Sequence, residues 1–292
     1  MRLGIDLGGT KIEGAVLDAG NHTVVRTRVA TEPAGGYDHI LDRVAELVNR
    51  LREQVSGCTA VGIGTPGAIS SVDGTMKNSN TTCLNGRDLR RDLERRLDLP
   101  VVMENDANCF ALAEAVAGAA KGAPLVFGVI LGTGVGGGLV IHGSVRRGLQ
   151  NIAGEWGHHC LDPAGPPCYC GQNGCVEAHL SGPAVSRQYA AVTGEGLPME
   201  AIVAHARAGH PHAGEVFERF LDRFGRALAN VIDILDPDVV VLGGGLSNID
   251  ELYTRGRAAV EAYVFNDELR TPIVRHALGD SAGVIGAALL LP

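Results

Sequence analysis

Residues 3–20 open the chain with an apolar run that breaks at Gly8-Gly9-Thr10 and resumes beyond it, a pattern that predicts two strands joined by a tight turn. The pattern returns over residues 127–143. Gly4, Leu7, Gly8, Gly14 and Val16 of the first copy recur as Gly128, Leu131, Gly132, Gly138 and Val140 of the second. A hairpin repeated at mid-chain with its glycines in register predicts a duplicated domain. Between the copies, Ile40, Val44, Leu47, Val48 and Leu51 fall at helical spacing and predict an amphipathic helix over 37–55. A strand over 60–64 ending at Thr65-Pro66-Gly67, a polar loop over 77–86, a short helix over 88–97, a strand over 99–104 and an alanine-rich helix over 107–120 follow. The second half predicts helices over 183–193, 199–208, 213–235 and 250–264, strands over 239–242 and 272–277, and an apolar closing helix over 281–291. Strands alternating with helices, with antiparallel hairpins among them, make an α/β protein with mixed sheets.

A length of 292 residues is long for one core and leads to two domains. The boundaries expected are 1–117, joined by the closing helix 281–292, and 118–280. Apolar content of 45% with 20% charged residues suits an ordered globular protein. A net charge of −8 argues against general nucleic-acid or acidic-membrane binding, and the basic run Arg87–Arg96 is interrupted by Asp88, Asp92 and Glu94 as a solvated helix face would be. The uncharged stretch 123–141 carries a G-x-x-x-G spacing at Gly132 and Gly136. Its many glycines suit two buried strands better than a membrane helix. Seven cysteines, an odd number, together with Asp6 and Lys11 cutting the first apolar run too early for a signal peptide, lead to a cytoplasmic expectation in which clustered cysteines bind metal.

The candidate chemistry falls in three places. Three glycine turns follow buried strands: Gly8-Gly9-Thr10, Gly132-Thr133-Gly134 and Gly243-Gly244-Gly245. Such turns let backbone N–H groups approach phosphate oxygens. Gly132, Gly134 and Gly137 also satisfy G-x-G-x-x-G, but a strand follows instead of a helix, which discounts a dinucleotide fold. Asp6 lies beside the first turn, where a carboxylate suits Mg²⁺. Asn105-Asp106 ends a strand and begins a helix. On position alone Asp106 is a helix N-cap, and its functional reading is a general base, with Asn105 orienting the same substrate. The third place is residues 154–177. Cys168, Cys170 and Cys175 with either His158 or His159 complete a Cys₃His set, the closed donor set of structural zinc, bracketed by Glu155 and Glu177. Cys160 falls inside the same loop with no role assigned.

The segments L-G-I-D-L-G-G-T-K, E-N-D-A-N, L-G-T-G-V-G-G-G, G-E-W-G-H, C-Y-C-G-x-x-G-C-x-E and V-L-G-G-G-L-S-N, spread over essentially the whole chain, resemble the ROK sugar kinases. K-N-S-N-T-T-C-L-N-G and P-C-Y-C-G lie nearest the fructokinases that also take mannose, with N-acetylglucosamine kinases next and glucokinases as a further alternative. The resemblance implies a duplicated ribonuclease-H-like fold of the actin and hexokinase type, with a cleft between its domains for ATP and hexose and the closing helix returning to the first domain. It implies Asp106 as catalytic base and Asn80, Asn105, Glu155, His158 and Glu177 as residues holding the other sugar hydroxyls. Gly8, Gly9, Thr10, Lys11, Thr133, Gly134, Gly243, Gly244 and Gly245 would face the nucleotide, with Asp6 near Mg²⁺. It also selects His158 as the zinc ligand beside Cys168, Cys170 and Cys175. The partners expected are ATP and a hexose, fructose first, with no nucleic acid and no membrane, and a homodimer. Sugar-responsive repressors of the same family carry a helix-turn-helix ahead of the first phosphate segment, for which the five residues before Asp6 are expected to leave no room. A sensor without catalysis is the remaining rival.

Overall fold

Strand β1 (Arg2–Leu7) puts Leu3, Ile5 and Leu7 on one face and Gly4, between Arg2 and Asp6, on the other, and helices cover both. In the computed structural model, which describes Met1–Pro292, it is the middle strand of a five-stranded sheet. The order is β3 (Thr23–Ala30), β2 (Lys11–Leu17), β1, β4 (Val61–Thr65), β7 (Val101–Asn105). β2 runs antiparallel to β1 with Leu7 opposite Ile12, whereas β4 and then β7 run parallel. Leu3, Ile5 and Leu7 pack under α1 (Gly36–Gln54), whose buried stripe is Ile40, Val44, Leu47, Val48 and Leu51. On the other face Gly4 lies beside Gly62 of β4. A methyl group at Gly62 would stand 1.8 Å from the Ala287 carbonyl oxygen, and one at Gly4 2.4 Å from that of Val284. The glycines therefore let α9 (Ala282–Leu289), itself mostly small residues, lie directly on the sheet. A two-stranded ribbon, β5 (Ala68–Ile69) with β6 (Met76–Lys77), and helices α2 (Leu89–Leu97) and α3 (Asp106–Ala117) complete this part.

The second sheet runs β10 (Ser144–Val145), β9 (Val135–Ile141), β8 (Leu125–Leu131), β11 (Val239–Gly243), β12 (Ile273–Arg275). β11 is parallel to both β8 and β12. Each sheet thus has a hairpin followed by two parallel strands in the same order, the topological form of the repeat seen in the glycines. Around it lie α4 (Val176–Leu180), α5 (Gly182–Thr193), α6 (Met199–Arg207), α7 (Pro211–Leu235) and α8 (Arg255–Glu261). α7 buries Phe217, Phe220 and Phe224 completely and is the main helix of the second core. Contacts divide the chain into two units, Met1–Gly122 with Gly138–Ala153 and Leu278–Pro292, and Ala123–Gly137 with Gly154–Ala277. The chain passes between them within β9. No helix is long and apolar enough to cross a membrane.

Three local expectations need correction. The N-cap of α3 is Asn105, whose side chain accepts the cap bonds, and Asp106 is the first helical residue. Residues 250–264 do not form one helix: a 3-10 turn over Asp250–Tyr253 precedes the short α8. β3 has no counterpart among the sequence predictions. Val25, Thr27 and Val29 are half-buried and alternate with exposed Arg26 and Arg28, but none is fully buried, so the strand carries little apolar signal.

Candidate active site

In the first unit the turn between β1 and β2 is closed by the Gly8 N–H donating to the Lys11 carbonyl at 3.0 Å. The Thr31 hydroxyl holds the Gly8 carbonyl at 2.7 Å. Thr10 and Lys11 are exposed at its tip. Asp6, one residue before Leu7, has its pKa raised to about 7. Burial is the main cause, the charges of Asp106 and Glu13 add to it, and Lys11 and Arg28 oppose it. Glu13 is itself buried, with Arg28 at 2.8 Å and Arg26 at 3.5 Å. Glu13 is occupied by its arginines, so Asp6 is the carboxylate beside the turn that would face a phosphate-bound Mg²⁺, whose charge would favour its ionised form.

The end of β7 holds the other candidate residues of this unit. Asn105 spends its side chain on structure: Oδ1 accepts the N–H groups of Ala107 (2.9 Å) and Asn108 (3.3 Å), and Nδ2 donates to the Gly67 carbonyl (2.9 Å). That leaves one Nδ2 hydrogen for any ligand. Asp106 Oδ1 accepts the Ala107 N–H at 2.8 Å, at the positive end of α3. Behind both stands Glu104, a residue the sequence reading passed over. Its Oε1 accepts the Asn105 N–H (2.9 Å) and Asn108 Nδ2 (3.0 Å), and its Oε2 accepts Arg147 Nε at 2.5 Å. The nearly buried Glu104 carboxylate thus fixes the strand-to-helix junction on which Asn105 and Asp106 sit. Asn80 lies exposed on the 77–86 loop, which Asn85 braces through paired bonds of 2.9 Å to the Ser79 backbone.

In the second unit Glu155 precedes a 3-10 turn, Trp156–His158. That turn is anchored to the start of β9: Trp156 Nε1 donates to the Gly136 carbonyl at 2.9 Å, and a methyl group at Gly157 would fall 1.9 Å from the Val135 oxygen. Glu177, in the first turn of α4, accepts the Val135 N–H through Oε2 at 2.9 Å and so lies against the Thr133-Gly134 turn. The Gly182 N–H donates to the Gly132 carbonyl at 2.8 Å, tying the start of α5 to the same turn. Gly244 has φ 78° and leaves only 2.3 Å between a would-be methyl group and the Leu131 oxygen. A side chain there would clash as well as strain the backbone. Gly132, Thr133, Pro183, Met199, Gly245 and Leu246 are among the residues lining a cavity of about 600 Å³. The structure thus brings together Thr133 and Gly245, which the sequence suggested separately.

His158, Cys168, Cys170 and Cys175 place one ligand atom each within 4.8 Å of one another. His158 Nδ1 is 3.6 Å from Cys168 Sγ, and the sulfurs of Cys170 and Cys175 are 3.6 Å apart. A zinc ion with Zn–S bonds of about 2.3 Å gives tetrahedral edges of roughly 3.7 Å, so these atoms fit the metal. His159 stays outside the group. His158 Nε2 meets the Tyr169 hydroxyl at 3.1 Å, which orients the ring from its far side. His179, on α4, is 1% exposed with neither ring nitrogen bonded. Burial chiefly, and the nearby charge of Arg223, lower its pKa to about 4 against the opposing pull of Asp162.

The family model described as the ROK family matches residues 2–292. An N-acetyl-D-glucosamine kinase of Pectobacterium atrosepticum is 41% identical over 300 residues, covering 99% of this chain and 98% of the relative. Among solved structures, a ROK hexokinase from Thermus thermophilus superposes with a TM-score of 0.88 at 35% identity, covering 99% and 96% of the two chains. A ROK family glucokinase from Streptomyces griseus in complex with glucose and AMPPNP gives 0.81 at 32% identity, covering 99% and 98%.

Proposed function

The chain belongs to the ROK family and is a sugar kinase that uses ATP, and from that premise we propose that it phosphorylates N-acetylglucosamine at its 6-hydroxyl. The observation that carries this reading is the run of near full-length relatives, 39–41% identical, that bear the name N-acetyl-D-glucosamine kinase. It replaces fructose, the first expectation from the sequence, with the second. One extra acetyl group or methylene changes pocket fit by only about 1–3 kcal/mol, so short segments such as K-N-S-N-T-T-C-L-N-G are a weak guide to the sugar.

In this reading the Asp106 carboxylate takes the proton from the sugar hydroxyl as that oxygen attacks the γ-phosphorus in line with the departing ADP. The Ala107 N–H bond orients the Asp106 carboxylate at the positive end of α3. Glu155, His158, Glu177, Asn80 and the remaining Nδ2 hydrogen of Asn105 hold the other hydroxyls. The Gly8–Lys11 turn, Thr133, Gly134 and Gly243–Gly245 bind ATP, with the cavity beside Thr133 and Gly245 taking the purine. Asp6 would lie near Mg²⁺, which would supply charge neutralisation on the phosphates. His158, Cys168, Cys170 and Cys175 would hold a structural zinc and so fix the loop that carries Glu155.

A coupled assay of ADP release with N-acetylglucosamine, N-acetylmannosamine, glucose, mannose and fructose tests the proposal. N-acetylglucosamine should give the highest kcat/KM, and a higher value for glucose or fructose would overturn it. Asp106→Asn should bind sugar nearly as well as wild type in calorimetry while losing about 10²–10⁴-fold in kcat, the range for a positioned base.

A further inference from the structure

Cys160 lies in the zinc loop yet outside the four-ligand group, and its backbone is paired with that of a ligand. The Cys160 and Cys175 segments form an isolated antiparallel bridge. The bonds that make it are Val176 N–H to the His159 carbonyl (3.0 Å) and Leu161 N–H to the Gly174 carbonyl (2.8 Å). Both bonds flank the pair and neither joins Cys160 to Cys175 themselves. This is the non-hydrogen-bonded kind of antiparallel pair, in which the Cα atoms are about 4.5 Å apart and both side chains leave the same face of the ribbon. A disulfide needs Cα atoms about 4.4–6.8 Å apart with Cβ vectors that converge, so this register can be bridged without moving the backbone. The two thiols differ sharply in access: Cys160 is exposed, and Cys175 is fully buried. The Cys160 thiol makes one weak contact, to the Asn173 carbonyl at 3.4 Å, and is not held by the ligand group.

We infer that Cys160 is a redox site that releases the zinc: a peroxide oxidises Cys160, and Cys175 then leaves the metal to form the Cys160–Cys175 disulfide. In the first step the Cys160 sulfur gives an electron pair to one oxygen of hydrogen peroxide. The O–O bond breaks, the other oxygen leaves as water with the thiol proton, and Cys160 becomes a sulfenic acid. In the second step the Cys175 thiolate attacks that sulfur. The S–S bond forms, the S–O bond breaks, and hydroxide leaves and is protonated by solvent. Two electrons pass in all, from two sulfurs to one peroxide, giving one disulfide. Zinc is left with Cys168, Cys170 and His158, loses its closed tetrahedral set, and dissociates.

The experiment uses the zinc-loaded full chain, with its metal content measured first, and hydrogen peroxide as the oxidant. Zinc release is followed with a colorimetric chelator. No Lys or Arg lies between Arg147 and Arg187, so trypsin is combined with a protease that cuts before Asp162 to separate Cys160 from the three ligand cysteines. Under non-reducing conditions the peptide carrying Cys160 should be joined to the one carrying Cys175, and fragmentation should place the bond on Cys175. Cys160→Ser should keep wild-type zinc content and basal activity but slow peroxide-driven zinc release by about tenfold, because the exposed sulfur that reacts first is gone. Thiol reductant with added zinc should restore the metal to the wild type. Equal release rates in wild type and Cys160→Ser, or a disulfide among Cys168, Cys170 and Cys175 alone, would overturn the assignment.

Discussion

Replacing Glu104 separates the strand-to-helix junction from the residues it carries. Glu104→Ala removes the acceptor of the Asn105 N–H, of Asn108 Nδ2 and of Arg147 Nε together. Arg147 is half exposed and recovers water, so its bond contributes little to the net loss. Asn108 cannot recover: it is buried, its Oδ1 is already without a partner, and the substitution orphans its Nδ2 as well. Each buried polar group left unsatisfied costs about 1–3 kcal/mol, and two such groups plus a small cavity give a loss of roughly 3–5 kcal/mol. Glu104→Gln keeps Oε1 as acceptor for both backbone and Asn108 but turns an amide toward the guanidinium, so about 1–2 kcal/mol is expected there. The functional effect should be separable from the loss of stability. Under conditions where both variants are folded, kcat should fall about tenfold for Gln and about 10²-fold or more for Ala, because a base misplaced by an ångström forfeits that much. KM for ATP should move by no more than about twofold, since the Gly8–Lys11 turn does not depend on Glu104. Urea unfolding and steady-state kinetics on the same preparations decide the matter. A folded Glu104→Ala enzyme with kcat within threefold of wild type would refute a positioning role.

Three further outcomes are expected. Chelating the zinc should raise KM for the sugar about tenfold or more while leaving KM for ATP nearly unchanged, because His158 and the Glu155 turn lose their anchor and the first unit does not. Kinetics before and after zinc replacement measure this, and an equal rise in both constants would count against it. His179 should make stability fall on acidification: its folded pKa of about 4 lies below the ordinary 6.5, so the unfolded chain binds the proton first. The contribution is complete above pH 6.5 and disappears as pH falls from 6.5 to 4, on the order of 3 kcal/mol at most, and His179→Leu should flatten that part of the urea-melt profile relative to wild type. Gly62→Ala drives a methyl group to 1.8 Å from the Ala287 oxygen, so α9 must lift from the sheet. A loss of about 3 kcal/mol or more, or failure to express folded protein, is expected in thermal melts.

What the sequence made legible had a short-range signature. The paired glycine hairpins, the Cys168-x-Cys170 and Cys175 cluster and the α1 stripe each lie in one contiguous window, where period and spacing can be read directly. Features made by distant residues stayed hidden. Glu104 looks like an unremarkable strand-end carboxylate until Arg147, 43 positions away, arrives beside it. β3 received no assignment from the sequence, and the purpose of Arg26 and Arg28 at its alternate positions is visible only with Glu13 buried next to them. Asn105 drew a ligand-binding reading, although most of its side chain goes to the α3 cap and the Gly67 carbonyl. The adjacent Asp106, which position alone suggested as the cap, is the first residue of the helix. The identity of the sugar has no local signature at all, since it rests on pocket shape.

On the proposed reading, the repeat also explains why the cation and base chemistry would arise in only one unit. Both sheets place a glycine turn after their central strand, so both offer backbone N–H groups to phosphates. Where the first copy has Asp6, however, the second has Ile130. Where β7 ends in Glu104-Asn105 and opens α3 with Asp106, the corresponding β12 is three residues long and no α-helix starts until Ala282. The second unit therefore has no carboxylate on its central strand and no strand-end carboxylate matching Asp106; the carboxylate at its turn, Glu177, comes from α4 and accepts the Val135 N–H. What it has gained lies between β10 and α5: the His158, Cys168, Cys170 and Cys175 cluster, the Glu155 turn and Glu177, all in residues for which the first copy has no equivalent. A duplicated scaffold supplies phosphate-binding turns twice at no cost in new structure. A second Asp6-like carboxylate would repeat the cost that raises the Asp6 pKa to about 7, burial first and the charges of Asp106 and Glu13 after it, and on the proposed reading there is no second phosphate transfer to use it.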